Sequence, residues 1–240
     1  MTLSRSAPAG WLAALPRHRL LAEFSLWSAD LANLERDLAR IEPYADMLHV
    51  DVADGRFAPS FLFFPDQIAR IRALTDKPIH VHLMVEGDIV LSQIRQFAAA
   101  GADLLSVHAE NGAVATEAVD LIGALGRAAG IVLRLETPVE AIRPFLGRVS
   151  CVTLLGTAIG VKGQGLAETA VPRLRAARSA LHAASCAETT ILAADGGIRA
   201  ETVPRLRAAG AGTVVMGSLA FADADLAARI AWLHALSEGG

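Results

Sequence analysis

Eight short runs of apolar residues recur along the chain, and longer amphipathic stretches separate them. The runs are almost entirely apolar, which is typical of strands buried on both faces, as the strands of a parallel sheet are. A short run of this kind between turn residues predicts a strand. The predicted strands are Phe24–Trp27, Met47–Val52, Ile79–Met84, Leu104–His108, Ile131–Leu135, Cys151–Leu155, Thr190–Ala194 and Thr213–Met216.

The stretches between these runs carry apolar residues at helical spacing and predict helices. Several end in glycine, as at Gly101, Gly130 and Gly210, where a left-handed residue caps the helix before the next strand. The predicted helices are Leu31–Ile41, Pro65–Leu74, Asp88–Ala100, Glu117–Ala129, Pro138–Leu146, Glu168–Ala183, Ala200–Ala209 and Asp223–Leu236. Eightfold strand–helix alternation favours one closed (β/α)8 TIM barrel of the α/β class, although an open doubly wound sheet has the same periodicity.

Residues 1–240 are predicted to form a single barrel domain with an N-terminal extension over residues 1–22, because no linker-like tract interrupts the chain. Within the extension, Trp11–Leu20 predicts a short helix with one apolar side. Such a helix either caps the bottom of the barrel or meets a neighbouring subunit. The cap is the favoured interpretation.

Composition and charge exclude several classes of protein. The net charge is −3 with both signs interspersed, which argues against a nucleic-acid or acidic-membrane surface. No apolar run reaches the roughly 18 residues of a spanning helix, and the first ten residues lack a secretory signal. Cys151 and Cys186 form no CxxC pair and fit a reducing compartment. We therefore predict a cytoplasmic protein that binds neither nucleic acid nor membrane.

Candidate chemistry lies at the ends of the predicted strands. His49 and Asp51 are two residues apart, so they point to one face of their strand, and a barrel places its active site where its strands end. The polar residues near strand ends are Ser25, His49, Asp51, His80, His82, His108, Arg134 and Asp195. For a single histidine, a satisfied buried side chain is the better interpretation. For four residues of matching parity on three strands, a functional site is the better interpretation.

Two imidazoles and two carboxylates would converge above the barrel axis. These ligands suit one divalent ion, either zinc, iron(II) or manganese, and the predicted metal ligands are His49, Asp51, His82 and Asp195. Two carboxylates on one ion have coupled titrations, which can provide an acid and a base together. Proton transfer at a carbon next to a carbonyl needs such a pair, and an ion can stabilise the resulting enediolate.

Glycine-rich loops after three consecutive strands predict a phosphate site. Gly196-Gly197 and Gly217-Ser218 follow the seventh and eighth predicted strands, where barrels commonly bind phosphate. A longer loop, residues 156–165, follows the sixth strand and has the composition of a mobile lid or a phosphate cradle. Each loop alone is a weak signal, because glycine also serves ordinary turns.

Taken together, these residues resemble the ribulose-phosphate 3-epimerase family. The matching segments, together with Phe57 and Pro59, are Ser25-Leu-Trp-Ser-Ala-Asp30, His49-Val-Asp-Val-Ala-Asp-Gly55, Val81-His-Leu-Met84, Val107-His-Ala-Glu110, Glu136-Thr-Pro138, Asp195-Gly-Gly197 and Gly217-Ser218. They run in the family's order over almost the whole chain. The resemblance implies a metal-dependent barrel that inverts carbon 3 of a ketose phosphate through a metal-stabilised enediolate.

The resemblance also implies a role for each matching residue. Asp51 and Asp195 would be the catalytic acid and base on opposite faces of the substrate, and both would also bind the metal. The substrate-binding residues would be Ser25, His49, His82 and Met84. The phosphate-binding residues would be Gly160, Val161, Lys162, Gly163, Gly196, Gly197, Gly217 and Ser218.

Several residues depart from the family's pattern. Ala53 stands where the family usually has a methionine that caps the enediolate, and His80 stands where it usually has aspartate. The remaining departures are Arg134, Leu155, Ile159 and Lys162. Arg134 and Lys162 would add positive charge near the phosphate, or else lie in solvent at the rim. The changes preserve the reacting groups and alter the walls around them.

The leading hypothesis is an isomerase that converts D-ribulose 5-phosphate to D-xylulose 5-phosphate. One alternative is a paralogous 3-epimerase for a tetrulose or hexulose phosphate, and another is a sugar-phosphate-binding barrel without turnover. A related decarboxylase is disfavoured, because its Asp-x-Lys-x-x-Asp pattern would place lysine at Ala53. The expected partners are a small sugar phosphate and further copies of this chain in a homo-oligomer.

Overall fold

Eight parallel strands close into a barrel in the computed structural model, which describes residues 6–237. The strands are β1 Leu21–Ser25, β2 Met47–Asp54, β3 Ile79–Met84, β4 Leu104–His108, β5 Ala128–Leu133, β6 Cys151–Leu155, β7 Ile191–Asp195 and β8 Thr213–Met216. Each strand pairs in parallel with the next along the chain, and β8 pairs with β1, which closes the ring. The closed TIM barrel is therefore confirmed, and the open sheet is excluded.

Helices cover the outside of this ring, except for the short first one, which lies against its amino end. They are α1 Trp11–Ala14, α2 Leu34–Ile41, α3 Pro65–Leu74, α4 Gly87–Ala100, α5 Ala113–Ala124, α6 Ala170–Ala183, α7 Val203–Ala208, α8 Ser218–Phe221 and α9 Leu226–His234. Short 3-10 helices occupy Leu26–Ser28, Glu42–Tyr44 and Ala109–Asn111, and a longer one occupies Val139–Phe145. The outward side chains of the strands and the inner faces of the helices form one continuous apolar core. Over residues 6–237, no helix is both long and apolar enough to cross a lipid bilayer.

Two predicted helices differ from the structure for local reasons. The predicted helix Glu117–Ala129 ends at Ala124, because Gly126 turns the chain with a φ of 68° and β5 begins two residues later. Gly130 is therefore inside a strand instead of capping a helix. The predicted helix Pro138–Leu146 is a 3-10 helix with Pro144 inside it, and proline lacks the N–H that a continuing α-helix requires.

The first strand also begins earlier than predicted. β1 starts at Leu21, whose backbone N–H donates to Gly212 O, and the chain turns into a 3-10 helix at Leu26. A short antiparallel strand, Phe61–Leu62, pairs with the end of β2 and was not predicted. The earlier start of β1 matters most, because it places Glu23 inside the barrel.

The bottom of the barrel interior is apolar. Inward side chains at the amino ends of the strands form a cluster that includes Leu21, Met47 and Cys151. Leu15 is part of this cluster, and Trp11 of α1 packs against it. Removing this apolar surface from water contributes about 25 cal/mol for each Å² buried. The N-terminal segment therefore closes the amino end of the barrel.

Above this cluster, the interior becomes polar in two layers. We call Glu23, His80, Ser106 and Thr213 the lower layer, because they are buried and hydrogen-bonded to one another. We call Ser25, Asp51, His82 and Asp195 the upper layer, because they line the cavity at the carboxyl ends of the strands. His49 lies between the layers and contacts both.

Candidate active site

A cavity of about 340 Å³ opens at the carboxyl ends of the strands. Its floor is the upper layer, and its walls are the loops that follow β6, β7 and β8. This is where a TIM barrel carries its chemistry. The position follows from strand parity, since Asp51 on β2, His82 on β3 and Asp195 on β7 lie in the carboxyl-terminal halves of their strands and line the cavity.

The four predicted metal ligands converge beneath this cavity. Asp51 Oδ1 lies 3.2 Å from His49 Nε2 and 3.3 Å from His82 Nδ1. Asp195 Oδ2 lies 3.9 Å and 3.8 Å from the same two nitrogens. One ligand atom from each of the four residues falls within 4.8 Å of all the others.

These distances match the geometry of a tetrahedral ion. An ion bound about 2.1 Å from each donor separates the donors by about 3.4 Å. The observed separations of 3.2 to 3.9 Å lie around that value. Two imidazole nitrogens and two carboxylate oxygens also form a donor set that suits a divalent first-row metal. The residues present therefore fit a metal ion.

The electrostatics of the cluster also favour a bound cation. Burial alone would lower the pKa of His49, yet the neighbouring carboxylates of Asp51 and Glu23 raise it well above its usual value. The cluster thus favours positive charge at His49, where the predicted cation would lie. A cation would compete with a proton for that position, which is usual at metal sites that contain imidazole.

The pKa values of the two aspartates are shifted in opposite directions. Burial alone would raise the pKa of Asp51, but attraction and hydrogen bonds from His49 and His82 outweigh it and hold that pKa well below its usual range. Burial, with repulsion from Asp51, raises the pKa of Asp195 to about 6. Two neighbouring carboxyls are therefore available, one that ionises readily and one that retains its proton closer to neutrality.

Hydrogen bonds behind the upper layer hold its side chains in place. Ser25 Oγ donates to Asp51 Oδ2 at 2.9 Å. His82 Nε2 lies 2.8 Å from His108 Nε2, and His108 Nδ1 lies 2.9 Å from Glu110 Oε2. Burial lowers the pKa of His108 to about 4, so its ring is neutral near pH 7. His108 therefore supports His82 and does not line the cavity.

Every predicted phosphate-binding residue lines the cavity. They are Gly160, Val161, Lys162, Gly163, Gly196, Gly197, Gly217 and Ser218. Glycine is required at position 197, because its φ is 69° and a Cβ there would lie 2.6 Å from Leu166 Cα. The loops can therefore bring backbone close to a ligand. Their phosphate role stays a prediction.

The two cations that depart from the family's pattern lie in different places. Lys162 lines the cavity, and its Nζ donates to Trp27 O and lies 4.8 Å from the centre of the Trp27 ring. Arg134 does not line the cavity. Its guanidinium lies 3.9 Å from the centre of the Phe57 ring and donates to Phe57 O. Arg134 therefore supports the loop after β2, and the expectation that it adds charge near a phosphate stays a prediction.

An apolar patch forms the remaining wall. Met84 joins Ala53, Phe57 and Ala58 in a small buried cluster, and Ile159 packs against it. Met84 and Ile159 also line the cavity. Met84 and Ile159 thus give the cavity an apolar side.

Sequence reasoning missed Glu23, which is completely buried. It was missed because the first strand was predicted to begin at Phe24. The available signal was parity, since Glu23 is an acidic residue in an apolar run and is two residues before Ser25. His80, grouped with the residues at strand ends, lies one layer lower, against Glu23 and Ser106.

Comparison with known proteins gives one consistent family. Residues 21–221 match the model of the "Ribulose-phosphate 3 epimerase family". The chain is 34% identical over 202 residues to "Ribulose-phosphate 3-epimerase" of Bacillus subtilis, covering 84% of this chain and 92% of the relative. It is 34% identical over 218 residues to the chloroplastic "Ribulose-5-phosphate-3-epimerase" of Arabidopsis thaliana, covering 88% and 75%.

Solved structures agree on the fold. The 3-hexulose-6-phosphate synthase of Salmonella typhimurium matches with a TM-score of 0.68 at 15% identity, covering 89% of this chain and 96% of that one. At that identity, the likeness shows a shared barrel and carries no conclusion about activity.

Proposed function

Because the chain belongs to the ribulose-phosphate 3-epimerase family, and is an epimerase of the isomerase class, we propose that it interconverts D-ribulose 5-phosphate and D-xylulose 5-phosphate with two aspartates. The observation that carries the proposal is the pair Asp51 and Asp195, which share one cavity floor and differ in proton affinity. Inversion needs one group to remove the proton from carbon 3 and another to return one from the opposite face.

In one direction, the Asp51 carboxylate accepts the proton from carbon 3, and the Asp195 carboxyl donates one to the other face. The reverse reaction exchanges the two roles. In the metal-free site, burial and repulsion from Asp51 raise the pKa of Asp195 to about 6, toward the neutral range in which acid–base groups work best. The apolar wall at Met84 limits the access of water to the reacting carbon.

A divalent ion would be held by His49, Asp51, His82 and Asp195, whose donor atoms fit its coordination. When bound, it supplies a Lewis acid that stabilises the negative charge developing on the substrate's oxygens. The donor set suits zinc, iron(II) and manganese, and the ion is to be identified by metal analysis. Ser25 would keep Asp51 oriented by its hydrogen bond at 2.9 Å.

At the far end of the cavity, the phosphate would be held by backbone groups of the loops after β6, β7 and β8. Lys162 would add a positive charge that reaches over Trp27. Holding the phosphate away from the aspartates places the reacting carbons over the cavity floor. Binding energy from a group that does not react can orient a substrate in this way.

A panel of ketose phosphates tests the substrate. Metal-loaded enzyme is incubated in heavy water with tetrulose, pentulose and hexulose phosphates, and deuterium at carbon 3 is followed by NMR. We expect D-ribulose 5-phosphate to exchange fastest and to yield D-xylulose 5-phosphate. Binding of these sugars by loaded enzyme, without any exchange, would instead support a barrel that binds and does not turn over.

A paralogous 3-epimerase is the second candidate, and Ala53 favours it. Ala53 lies in the apolar cluster with Met84, where the family usually has a second large side chain. The smaller residue would leave more room in the apolar cluster beside Met84, which lines the cavity. Fastest exchange with a tetrulose or hexulose phosphate would select this candidate.

The single-domain boundaries, the homo-oligomeric state and the cytoplasmic location stay predictions. The sugar-phosphate partner follows from the family.

A further inference from the structure

Glu23 and His80 form a buried pair directly beneath the upper layer. Glu23 comes from β1 and His80 from β3, and their exposed fractions are 0% and 1%. Glu23 Oε1 lies 2.8 Å from His49 Nδ1 and 2.5 Å from His80 Nδ1. The mechanism proposed above uses neither residue. A completely buried carboxylate nonetheless costs free energy unless its partners compensate for it.

The spacing of this group shows hydrogen bonding instead of a second metal site. Donors around one ion lie about 3.4 Å apart, whereas Glu23 Oε1 is only 2.5 to 2.8 Å from the two ring nitrogens. His80 Nε2 is likewise 2.7 Å from Ser106 Oγ. These separations lie at or below the ordinary range of hydrogen-bond lengths, which is too short for two donors on one ion. The group is therefore a closed chain of donors and acceptors.

The direction of each bond in the chain can be assigned. One carboxylate oxygen in contact with two ring nitrogens accepts from both, so His49 and His80 each donate through Nδ1–H. His80 Nε2 then accepts from Ser106 Oγ–H at 2.7 Å. For His49, this leaves Nε2 to face Asp51 and Asp195. That is the nitrogen which a metal ion would need.

We infer that Glu23 is a positioning residue that keeps hydrogen on His49 Nδ1 and presents Nε2 to the metal, and that His80 in turn holds Glu23. The inference rests on the proposed metal site. Carboxylates behind histidine ligands commonly fix the ring and strengthen the ligand. His80 donates to the same Glu23 oxygen that accepts from His49, which restricts the carboxylate to one orientation.

The other imidazole of the cluster has a similar arrangement. His82 presents Nδ1 to Asp51 and Asp195, and its Nε2 contacts His108, which contacts Glu110. A carboxylate therefore stands behind each imidazole, directly for His49 and through one more ring for His82. The arrangement is asymmetric, because the support for His49 is fully buried, whereas Glu110 lies at the rim with its side chain 18% exposed.

The test measures zinc affinity of the full-length protein by competition with a chromophoric chelator. Glu23→Gln keeps the shape and removes the charge, and we expect its dissociation constant for Zn²⁺ to rise about 10- to 100-fold. Thr213→Val is the matched control. Thr213 Oγ1 touches the other Glu23 oxygen at 3.4 Å, and we expect the control to stay within about twofold of the wild type because that contact is long.

A second readout follows the ring itself. In zinc-loaded wild-type protein with nitrogen-15-labelled histidine, we expect one slowly exchanging Nδ1–H signal from His49, shifted downfield by its carboxylate partner. In Glu23→Gln, that proton should move upfield and exchange faster with water. A purely structural role for Glu23 would change stability and leave the zinc affinity unchanged, and the wild-type spectrum is informative even where the variant folds poorly.

The outcomes separate this inference from the proposed function. Equal zinc affinity in wild type and Glu23→Gln, or zinc bound to His49 through Nδ1, overturns the inference and leaves the epimerase proposal intact. Failure of the wild type to bind any divalent ion overturns the proposed metal site, and the inference with it. Weaker zinc binding together with an altered His49 Nδ1–H signal supports the inference.

Discussion

The two polar layers inside the barrel contain similar side chains at different spacings. In the lower layer, Glu23 and His80 are 2.5 Å apart, and His80 contacts Ser106 at 2.7 Å. In the upper layer, Asp195 stays 3.8 to 3.9 Å from the nearest ring nitrogens. The polar groups of the lower layer are close enough to hydrogen-bond to one another, whereas the spacing in the upper layer leaves room for an ion. Spacing therefore distinguishes a structural network from a binding site where residue type does not.

The largest expected effect is on turnover when the upper layer is changed. Asp195→Asn keeps the shape but removes a proton-transfer group, and we expect kcat for D-ribulose 5-phosphate to fall about 10²- to 10⁴-fold. Unfolding in urea should show little loss of stability, since the substitution removes one of two neighbouring like charges. Asp66→Asn, at an exposed carboxyl on α3, is the control. Near-native turnover of Asp195→Asn would remove it from the acid–base role.

Removing the metal ion tests the upper layer without changing any of its side chains. Dialysis against a chelator should lower turnover at least about a hundredfold, because charge stabilisation by a bound ion is worth several kcal/mol. Adding back zinc, iron(II) or manganese should restore activity and raise the midpoint of thermal unfolding. Saturation at a hundred times the dissociation constant corresponds to about 2.7 kcal/mol of added stability. Full activity of chelated, metal-free protein would contradict the proposed site.

The lower layer should respond through stability. His80→Leu leaves Ser106 Oγ without its acceptor and removes one partner of Glu23, so we expect the free energy of unfolding to fall by about 1–3 kcal/mol. Urea denaturation measures the change. His182→Leu, at an exposed position of α6, should stay within about 0.5 kcal/mol of the wild type. No difference between the two variants would mean that the lower network contributes nothing to folding.

The smallest expected effect is at the mouth of the cavity. Lys162 is exposed, so its attraction for a phosphate is screened by water, and we expect Lys162→Met to raise KM only a few-fold to about tenfold. The increase should shrink as salt is added. Lys77, in the turn before β3, is the chain's other lysine, and Lys77→Met serves as the control. Unchanged KM in Lys162→Met would place Lys162 among the rim residues that do not touch substrate.

Much of the site could be predicted from the sequence because strand parity is a local property. His49 and Asp51 share a face whatever surrounds them, and Asp195 ends an apolar run, so their convergence needs only a closed barrel. The glycine loops were placed correctly for the same reason, since a loop between a strand and the next helix has few alternative positions.

The features that the sequence did not predict depend on where helices and strands begin and end, which sequence patterns define poorly. Residues 127–129 are predicted to be helical because alanine and arginine are strong helix formers. Pairing with β4 instead makes Ala128 and Ala129 part of a strand. At the first strand, the error of three residues concealed the inward parity of Glu23, and its partners His49 and His80 were identified from the structure. Long-range hydrogen bonds of this kind have no signature in a single stretch of sequence.

Both thiols of the chain are buried, and Cys151 lies in the apolar cluster that α1 covers. Burial raises the pKa of Cys151 to about 12, so alkylating reagents have almost no thiolate to attack while the barrel stays closed. The rate at which an alkylating reagent labels a Cys186→Ala variant would therefore measure the opening of the barrel's amino end, with no engineered cysteine.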